Sequence, residues 1–176
     1  MPMPLVTNTT PLFAHTCYIG LGSNLGDSIA TLHAAIAELA ATEGVVVRGV
    51  SRFYTSKPMG PQDQPDYVNA VMCVRTVLAP LDLLHALFAV ERAHGRVRDA
   101  SLRWGPRTLD LDLLLYGTQT VNLPDLHVPH PGLGARSFVV LPLMDIAPRL
   151  ILPNGTKLQD CLAALTCDDL YPLTIY

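Results

Sequence analysis

The chain has 176 residues, 49% hydrophobic and 15% charged, enough apolar material for the core of one compact domain. A net charge of −3 and a pI near 6.0 exclude the global basic field that gathers nucleic acid. No apolar run reaches the length of a membrane span. The four cysteines (Cys17, Cys73, Cys161, Cys167) lack zinc spacing and read as reduced, mostly buried thiols of a cytoplasmic protein.

Residues 1–16 contain Pro and Thr but no basic segment followed by an apolar core. They read as an N-terminal extension without a secretory signal, ahead of a single domain over 17–176. Cys17 to Asn24 reads as a first strand entering a glycine turn. The spacing Gly20-x-Gly22-x-x-x-Gly26 fits neither a dinucleotide fingerprint nor a P-loop. These small residues serve either a structural turn or close contact with a ligand. Asp27 is placed to cap a helix running to about Ala41, with Ile29, Leu32, Ile36 and Leu39 as its inner stripe. His33 in that helix reads as a partly buried histidine. Val45 to Tyr54 is a second strand.

Thr55 to Asp66 is too rich in Pro, Gly and Asp for regular structure, and a loop of that length in a compact domain points to function or disorder. Tyr67 to Val77 is a third strand that puts Tyr67, Asn69 and Val71 on one face. An aromatic plane beside an amide suits a flat heteroaromatic ligand, although Tyr67 also fits an ordinary aromatic at a strand end. Pro80 opens a second helix and Gly95 closes it. Leu84, Leu87, Phe88 and Glu91 share one stripe, so Glu91 lies toward the core, near an arginine-rich loop. Five of the twelve Lys and Arg residues (Arg92, Arg96, Arg98, Arg103, Arg107) fall in this short stretch, a local chemistry for anions.

From Thr108 to Tyr116 the chain reads as a strand that alternates through Leu113. Leu109, Leu111 and Leu113 point one way, Asp110 and Asp112 the other. The leucine face calls for a cover of helices. Two carboxylates roughly 6.5–7 Å apart on one face repel each other, and a divalent cation between them turns repulsion into binding. Hard oxygen ligands favour Mg²⁺ or Mn²⁺. The alternative for a bare Asp-x-Asp is a solvated strand face, which the arginines and Trp104 just before it argue against. The order so far, β-α-β-β-α-β, is an α+β, ferredoxin-like arrangement. It predicts a four-stranded antiparallel sheet with two helices on the leucine face, and Asp110, Asp112, Tyr67 and Asn69 together on the other. An irregular stretch follows Gly117, and short C-terminal helices are expected over Leu141–Ile146 and Leu158–Leu165. His130, between prolines, suits either phosphate donation or a loop hydrogen bond.

The run Trp104-Gly105-Pro106-Arg107-Thr108-Leu109-Asp110-Leu111-Asp112 resembles the signature of the 6-hydroxymethyl-7,8-dihydropterin pyrophosphokinase family of folate biosynthesis. Gly22-Ser23-Asn24, Gly60 to Tyr67, Asn69, Gly95-Arg96-Val97-Arg98 and Val128-Pro129-His130 agree with it in order and spacing, so the likeness covers roughly Tyr18 to Leu165. The resemblance implies transfer of the pyrophosphoryl group of ATP to the pterin hydroxymethyl oxygen, releasing AMP. It implies Asp110 and Asp112 as ligands of two Mg²⁺ ions, and Arg98, Arg103 and Arg107 beside them as catalytic. Glu91, Arg96, Arg98, Arg103, Trp104, Arg107, His130 and Arg136 match its ATP contacts. Tyr67 and Phe138 match its pterin sandwich and Asn69 the ring-edge amide, with Ser56, Lys57, Met59 and Trp104 completing the pterin site. The partners so implied are the two small substrates, with no nucleic acid or membrane, for a monomer.

The chain departs from the family pattern at Asp99, Pro131, Phe88 and Ser56-Lys57, and its loop from Arg98 to Arg103 is one residue longer. These changes bear on ATP affinity and loop timing. No general base stands out. Two rivals fit less well. A nucleotidyltransferase needs its Gly-Ser turn and carboxylates within one short segment. An RNA-binding sheet needs basic and aromatic residues, not two aspartates, on its open face.

Overall fold

The computed structural model describes residues 14–98 and 104–174. The elements in chain order are β1 (His15–Ser23), α1 (Ser28–Ala40), β2 (Val45–Val50), β3 (Tyr54–Ser56), β4 (Tyr67–Thr76) and α2 (Pro80–Ala93). After these come β5 (Asp110–Tyr116), the hairpin β6 (Val121–Leu123) and β7 (Leu126–Val128), α3 (Ser137–Ile146), α4 (Leu158–Ala163) and the two-residue β8 (Tyr171–Pro172). The main sheet is antiparallel in the order β5-β1-β4-β3-β8, and β2 also pairs with β4. It has six strands rather than the four expected. A bend at residues 51–53 splits the predicted second strand, and the C-terminal segment adds an edge to β3.

Most local signals hold. Asp27 Oδ1 accepts from the Ala30 N–H (3.0 Å), so α1 starts where a side chain satisfies a free donor. At the end of α2, Gly95 takes φ +75°, the Gly95 N–H donates to Arg92 O and the Arg96 N–H donates to Glu91 O. This Schellman closure folds the chain back over the helix end. The same left-handed turn would strain any residue with a Cβ.

The two faces of the sheet close differently. Leu109, Leu111 and Leu113 join Ile19, Leu21 and Met72 beneath Leu32, Leu39 and Leu87 of α1 and α2 in one buried cluster. A second cluster covers part of the opposite face, where α3 lays Val139, Val140 and Leu143 over Val71 and Leu114. A register shift between Tyr18 and Ile19 marks a bulge, after which Leu115 joins this second cluster while Tyr116 turns to the first. The face expected to stay open is therefore half roofed, and what remains is a cleft.

Several expectations need correction. His33 is exposed, lying against the Phe53 ring at 4.9 Å between centroids. Of the four free cysteines only Cys17 is buried. The helix expected from Leu141 begins at Ser137 and carries Pro142 in its interior, where the ring removes one backbone hydrogen bond while Pro142 and its neighbours Val139, Val140 and Leu143 are buried. The stretch after Gly117 forms a hairpin. β1 starts at His15, inside the stretch read as extension, and the earlier residues 1–13 lie outside the described ones. Among the described residues no helix is long and apolar enough to cross a membrane.

Candidate active site

The cleft encloses about 690 Å³, open to solvent, between the uncovered half of the sheet, the loop after β3, the segment from Trp104 to Arg107 and the start of α3. Its floor is β1. Gly20 pairs with Asp112 and Val71, and Gly22 with Asp110 and Asn69, so both glycines lie on the aspartate face between β5 and β4. A Cβ on Gly22 would already touch Asn69 Oδ1 at 3.4 Å and Tyr67 Cδ1 at 3.7 Å, and anything larger would fill the cleft. The glycines are mid-strand, not in the turn. Of the two readings the sequence left open, close approach to an occupant fits this position better.

One side of the cleft is aromatic and amide-rich. Tyr67, Phe138, Trp104 and Met59 line it together with Ser56, Lys57 and Asn69. Asn69 is buried and its Nδ2 donates to Ser56 Oγ (2.8 Å), which fixes the amide and leaves Oδ1 over Gly22. The Tyr67 hydroxyl donates to Gly105 O (3.0 Å), tying the ring to the signature segment. Lys57 pairs with Asp66 (3.0 Å), closing the ends of the intervening loop. The Arg136 guanidinium lies 5.6 Å from the Trp104 ring and 6.0 Å from that of Phe138, bridging two walls.

The other side is charged. Arg107 donates to Asp110 Oδ2 (2.7 Å), and Arg96 lies 3.3 Å from Asp110 Oδ1 while also donating to Leu109 O (3.2 Å). Asp112 keeps 40% of its side chain exposed, with His130 Nε2 3.9 Å from its Oδ2. Desolvation, and then the neighbouring Asp110, push the Asp112 carboxyl well above the ordinary carboxylate range. His130 is shifted the other way, made harder to protonate by burial and then by Arg136. Its Nδ1 accepts from the Gly132 N–H (3.0 Å), so the neutral ring carries its proton on Nε2, facing the cleft. Glu91 is 1% exposed, as its stripe position implied. It accepts from the Leu111 N–H (2.8 Å) and from Arg98 (2.6 Å), and burial raises its pKa.

Of the residues singled out in the sequence, Ser56, Lys57, Met59, Tyr67, Asn69, Trp104, Arg107, Asp110, Asp112, Arg136 and Phe138 line this one cleft. Arg96 reaches it through Asp110, and His130 faces Asp112. Glu91 and Arg98 sit behind the strand, with Glu91 bonded to the backbone between the two aspartates. Arg103 and Asp99 lie outside the described residues.

The sequence reading passed over the residue that assembles the walls. Asn24 is 3% exposed. Its Nδ2 donates to Gln64 Oε1 (3.0 Å) and Pro65 O (2.9 Å), its Oδ1 accepts from the Arg107 N–H (2.7 Å), and its own N–H donates to Arg107 O (3.0 Å). Gln64 in turn donates to Trp104 O (2.9 Å). Gly60 packs directly on Trp104, where a Cβ would meet backbone oxygen at 2.8 Å, and Trp104 holds φ +69°, a strained value for a bulky residue. An asparagine after Gly-Ser looks like a turn former, and its long-range bonds leave no periodic trace. Only its place inside the signature-like run Gly22-Ser23-Asn24 marked it.

The donor set suits a hard divalent cation. Asp110 and Asp112 offer carboxylate oxygens from one strand face into a water-accessible cleft, where desolvation and then the neighbouring Asp110 disfavour the Asp112 charge, and a bound cation would offset both. Among the described residues no three His, Cys, Asp or Glu side chains converge, so protein groups alone would leave most of the coordination sphere to water and substrate oxygens. That is the usual manner of Mg²⁺ binding beside phosphates.

Comparison with known proteins agrees with this geometry. Residues 18–148 match the family model described as 7,8-dihydro-6-hydroxymethylpterin-pyrophosphokinase. The 2-amino-4-hydroxy-6-hydroxymethyldihydropteridine pyrophosphokinase of Pseudomonas aeruginosa is 52% identical over 147 residues, covering 84% of this chain and 90% of that protein. The Haemophilus influenzae protein of the same name is 50% identical over 140 residues, covering 80% and 86%. Among solved structures, an HPPK-DHPS described as in complex with substrates aligns over 86% of this chain with a TM-score of 0.67. A Plasmodium falciparum HPPK-DHPS with pterin and p-hydroxybenzoate aligns over 89% with a TM-score of 0.66. At 12% identity these two share the fold, and this chain spans only 43% and 44% of their lengths. With the family model covering most of the chain and relatives near half identical, the chain belongs to the 7,8-dihydro-6-hydroxymethylpterin-pyrophosphokinase family.

Proposed function

We propose that this protein transfers the pyrophosphoryl group of ATP to 6-hydroxymethyl-7,8-dihydropterin, giving AMP and the pterin diphosphate for folate biosynthesis. The pterin hydroxymethyl oxygen forms a bond to the β-phosphorus, the bond from that phosphorus to the α-bridging oxygen breaks, and the hydroxyl proton is lost. The observation that carries this reading is the division of one cleft. Asp110 and Asp112 with their arginines stand on one side, and Tyr67, Asn69 and Phe138 line the other. Family membership supports it.

Each side has its task. Tyr67 and Phe138 take the two faces of the bicyclic ring, and Asn69, its amide fixed by Ser56, reads the ring edge. Ser56, Lys57, Met59 and Trp104 complete the ring site. Asp110 and Asp112 would hold two Mg²⁺ ions, which neutralise phosphate charge and lower the barrier to attack at phosphorus. Arg96 and Arg107 already neutralise Asp110, and triphosphate oxygens give them a second set of acceptors. Arg98 and Arg103 join Arg107 as the cationic groups of the transfer step, while Glu91, Trp104, His130 and Arg136 complete the nucleotide contacts. His130 offers its Nε2 proton to a phosphate oxygen, and its depressed pKa keeps the ring a neutral donor near neutral pH.

The strand order β5-β1-β4-β2 supports reading the centre as a ferredoxin-like core, extended by β3, β8 and the C-terminal helices. We read the protein as a cytoplasmic monomer of one domain that includes β1 from His15 onward. Incubation with ATP, Mg²⁺ and the reduced hydroxymethylpterin tests the reaction. AMP should appear mole for mole with pterin diphosphate and depend on Mg²⁺. Release of ADP or of free pyrophosphate instead would overturn the assignment.

A further inference from the structure

We propose that Phe88 is a positioning residue for Arg98, holding its guanidinium beside Glu91, behind β5, through the face of its ring. The inference rests on the reading above, in which Arg98 serves ATP, and adds a residue to it. Phe88 and Glu91 stand three apart on α2 and share one edge of the helix. The Gly95 turn then sends the chain back past that edge in extended form. Val97 points to solvent at 79% exposure, while Arg96 and Arg98, on either side of it, turn inward. Arg96 reaches Asp110. Arg98 puts its Cζ 3.9 Å above the centroid of the Phe88 ring and donates to Glu91 Oε2 at 2.6 Å.

The two contacts do different work. The ion pair fixes one end of the guanidinium but leaves the plane free to swing about that bond, because the Arg98 side chain is half exposed (51%) while Glu91 is buried. Stacking on the half-buried Phe88 ring fixes the plane. An arginine held in one orientation loses less side-chain freedom when it takes up an anionic or planar ligand. Glu91 gives the seat a rigid base, since its other oxygen accepts from the Leu111 N–H between Asp110 and Asp112. A Leu at position 88 would fill similar space in the core without offering a π face.

The test is a double-mutant cycle on the full chain, read by calorimetric binding of Mg²⁺-ATP and by steady-state kinetics. Phe88→Leu should weaken ATP binding and raise KM for ATP roughly threefold to tenfold, the range of a cation–π contact at a part-exposed site. KM for the pterin should stay put, and Phe88→Tyr should restore the parent affinity. In an Arg98→Ala background Phe88→Leu should add nothing, because the group it positions is gone. Equal ATP affinity for Phe88→Leu and parent would overturn the proposal, as would full additivity with Arg98→Ala or an equal loss of pterin affinity. Should Phe88→Leu lower thermal stability, Phe88→Met keeps an apolar side chain and answers the same question. Failure of the parent protein to make AMP would strike the reaction assigned above. Failure of the cycle with AMP still formed would strike only the role of Phe88.

Discussion

The two faces of β5 differ by one residue of register and by everything in their chemistry. Leu111 is 1% exposed beneath α1 and α2, whereas Asp112 beside it keeps 40% of its side chain open in the cleft. The leucine face is closed by packing and needs no ligand. The aspartate face holds like charges together, tempered by Arg96 and Arg107, and stays incompletely compensated. As far as Leu113, one strand therefore stabilises the fold with its odd residues and lines the cleft with its even ones.

Substitutions on the two faces should separate cleanly. Asp112→Ala should reduce turnover by three orders of magnitude or more, equivalent to about 4 kcal/mol in the barrier, with thermal stability equal to or above the parent's. Removal of one of two repelling carboxylates is the reason. Near-normal AMP production by this variant would remove the metal-holding role. Leu111→Ala should do the reverse, lowering unfolding free energy by roughly 2–5 kcal/mol in a denaturant titration while the folded fraction keeps most of its activity. A variant as stable as the parent would show that this face is not the core.

A smaller effect concerns how the roof is fastened to the sheet. Asp145 near the end of α3 accepts from the Tyr54 hydroxyl (2.9 Å) and from Arg52 (2.7 Å), joining the helix that carries Phe138 to the strand that carries Ser56. Burial opposes its charge, but the Arg52 and Tyr54 hydrogen bonds outweigh that and hold its pKa below the ordinary value. A carboxyl depressed in the folded state stabilises above its unfolded pKa of about 3.9 and loses that contribution as pH falls through the folded value. Asp145→Ala should thus lower stability by roughly 1–3 kcal/mol at neutral pH, leaving the Tyr54 hydroxyl without its acceptor. The gap from the parent should narrow below about pH 4. A gap independent of pH would mean that packing, not charge, fastens α3.

Where the sequence could be read, local rules had little competition. The Asp27 cap, the Gly95 stop and the alternation through Leu109 to Leu113 are short-range signals, and the structure bears out all three. The gathering of Tyr67, Asn69, Asp110 and Asp112 followed from period two on two strands that flank β1. What escaped was decided over longer distances. Asn24 bonds to Pro65 and Arg107, distant in the chain. β8 exists because β3 offered an open edge. Nothing near Leu115 announces the bulge that turns it under α3. The helix expected over Leu141–Ile146 starts four residues earlier and runs through Pro142, since one missing bond is tolerated where the helix is buried against the sheet.

The amino-acid order by itself settled which residues share a face up to the bulge beyond Leu113, because side-chain direction along a regular strand or helix follows from backbone geometry alone. It also settled the chemistry that face can perform, two carboxylates among arginines beside an aromatic and an amide. Tertiary structure alone decided that the face becomes a cleft. Asn24 and Gln64 draw separate loops together through buried hydrogen bonds, and α3 roofs half of the sheet. Those contacts depend on segments far apart in the chain meeting in space, which no local pattern records.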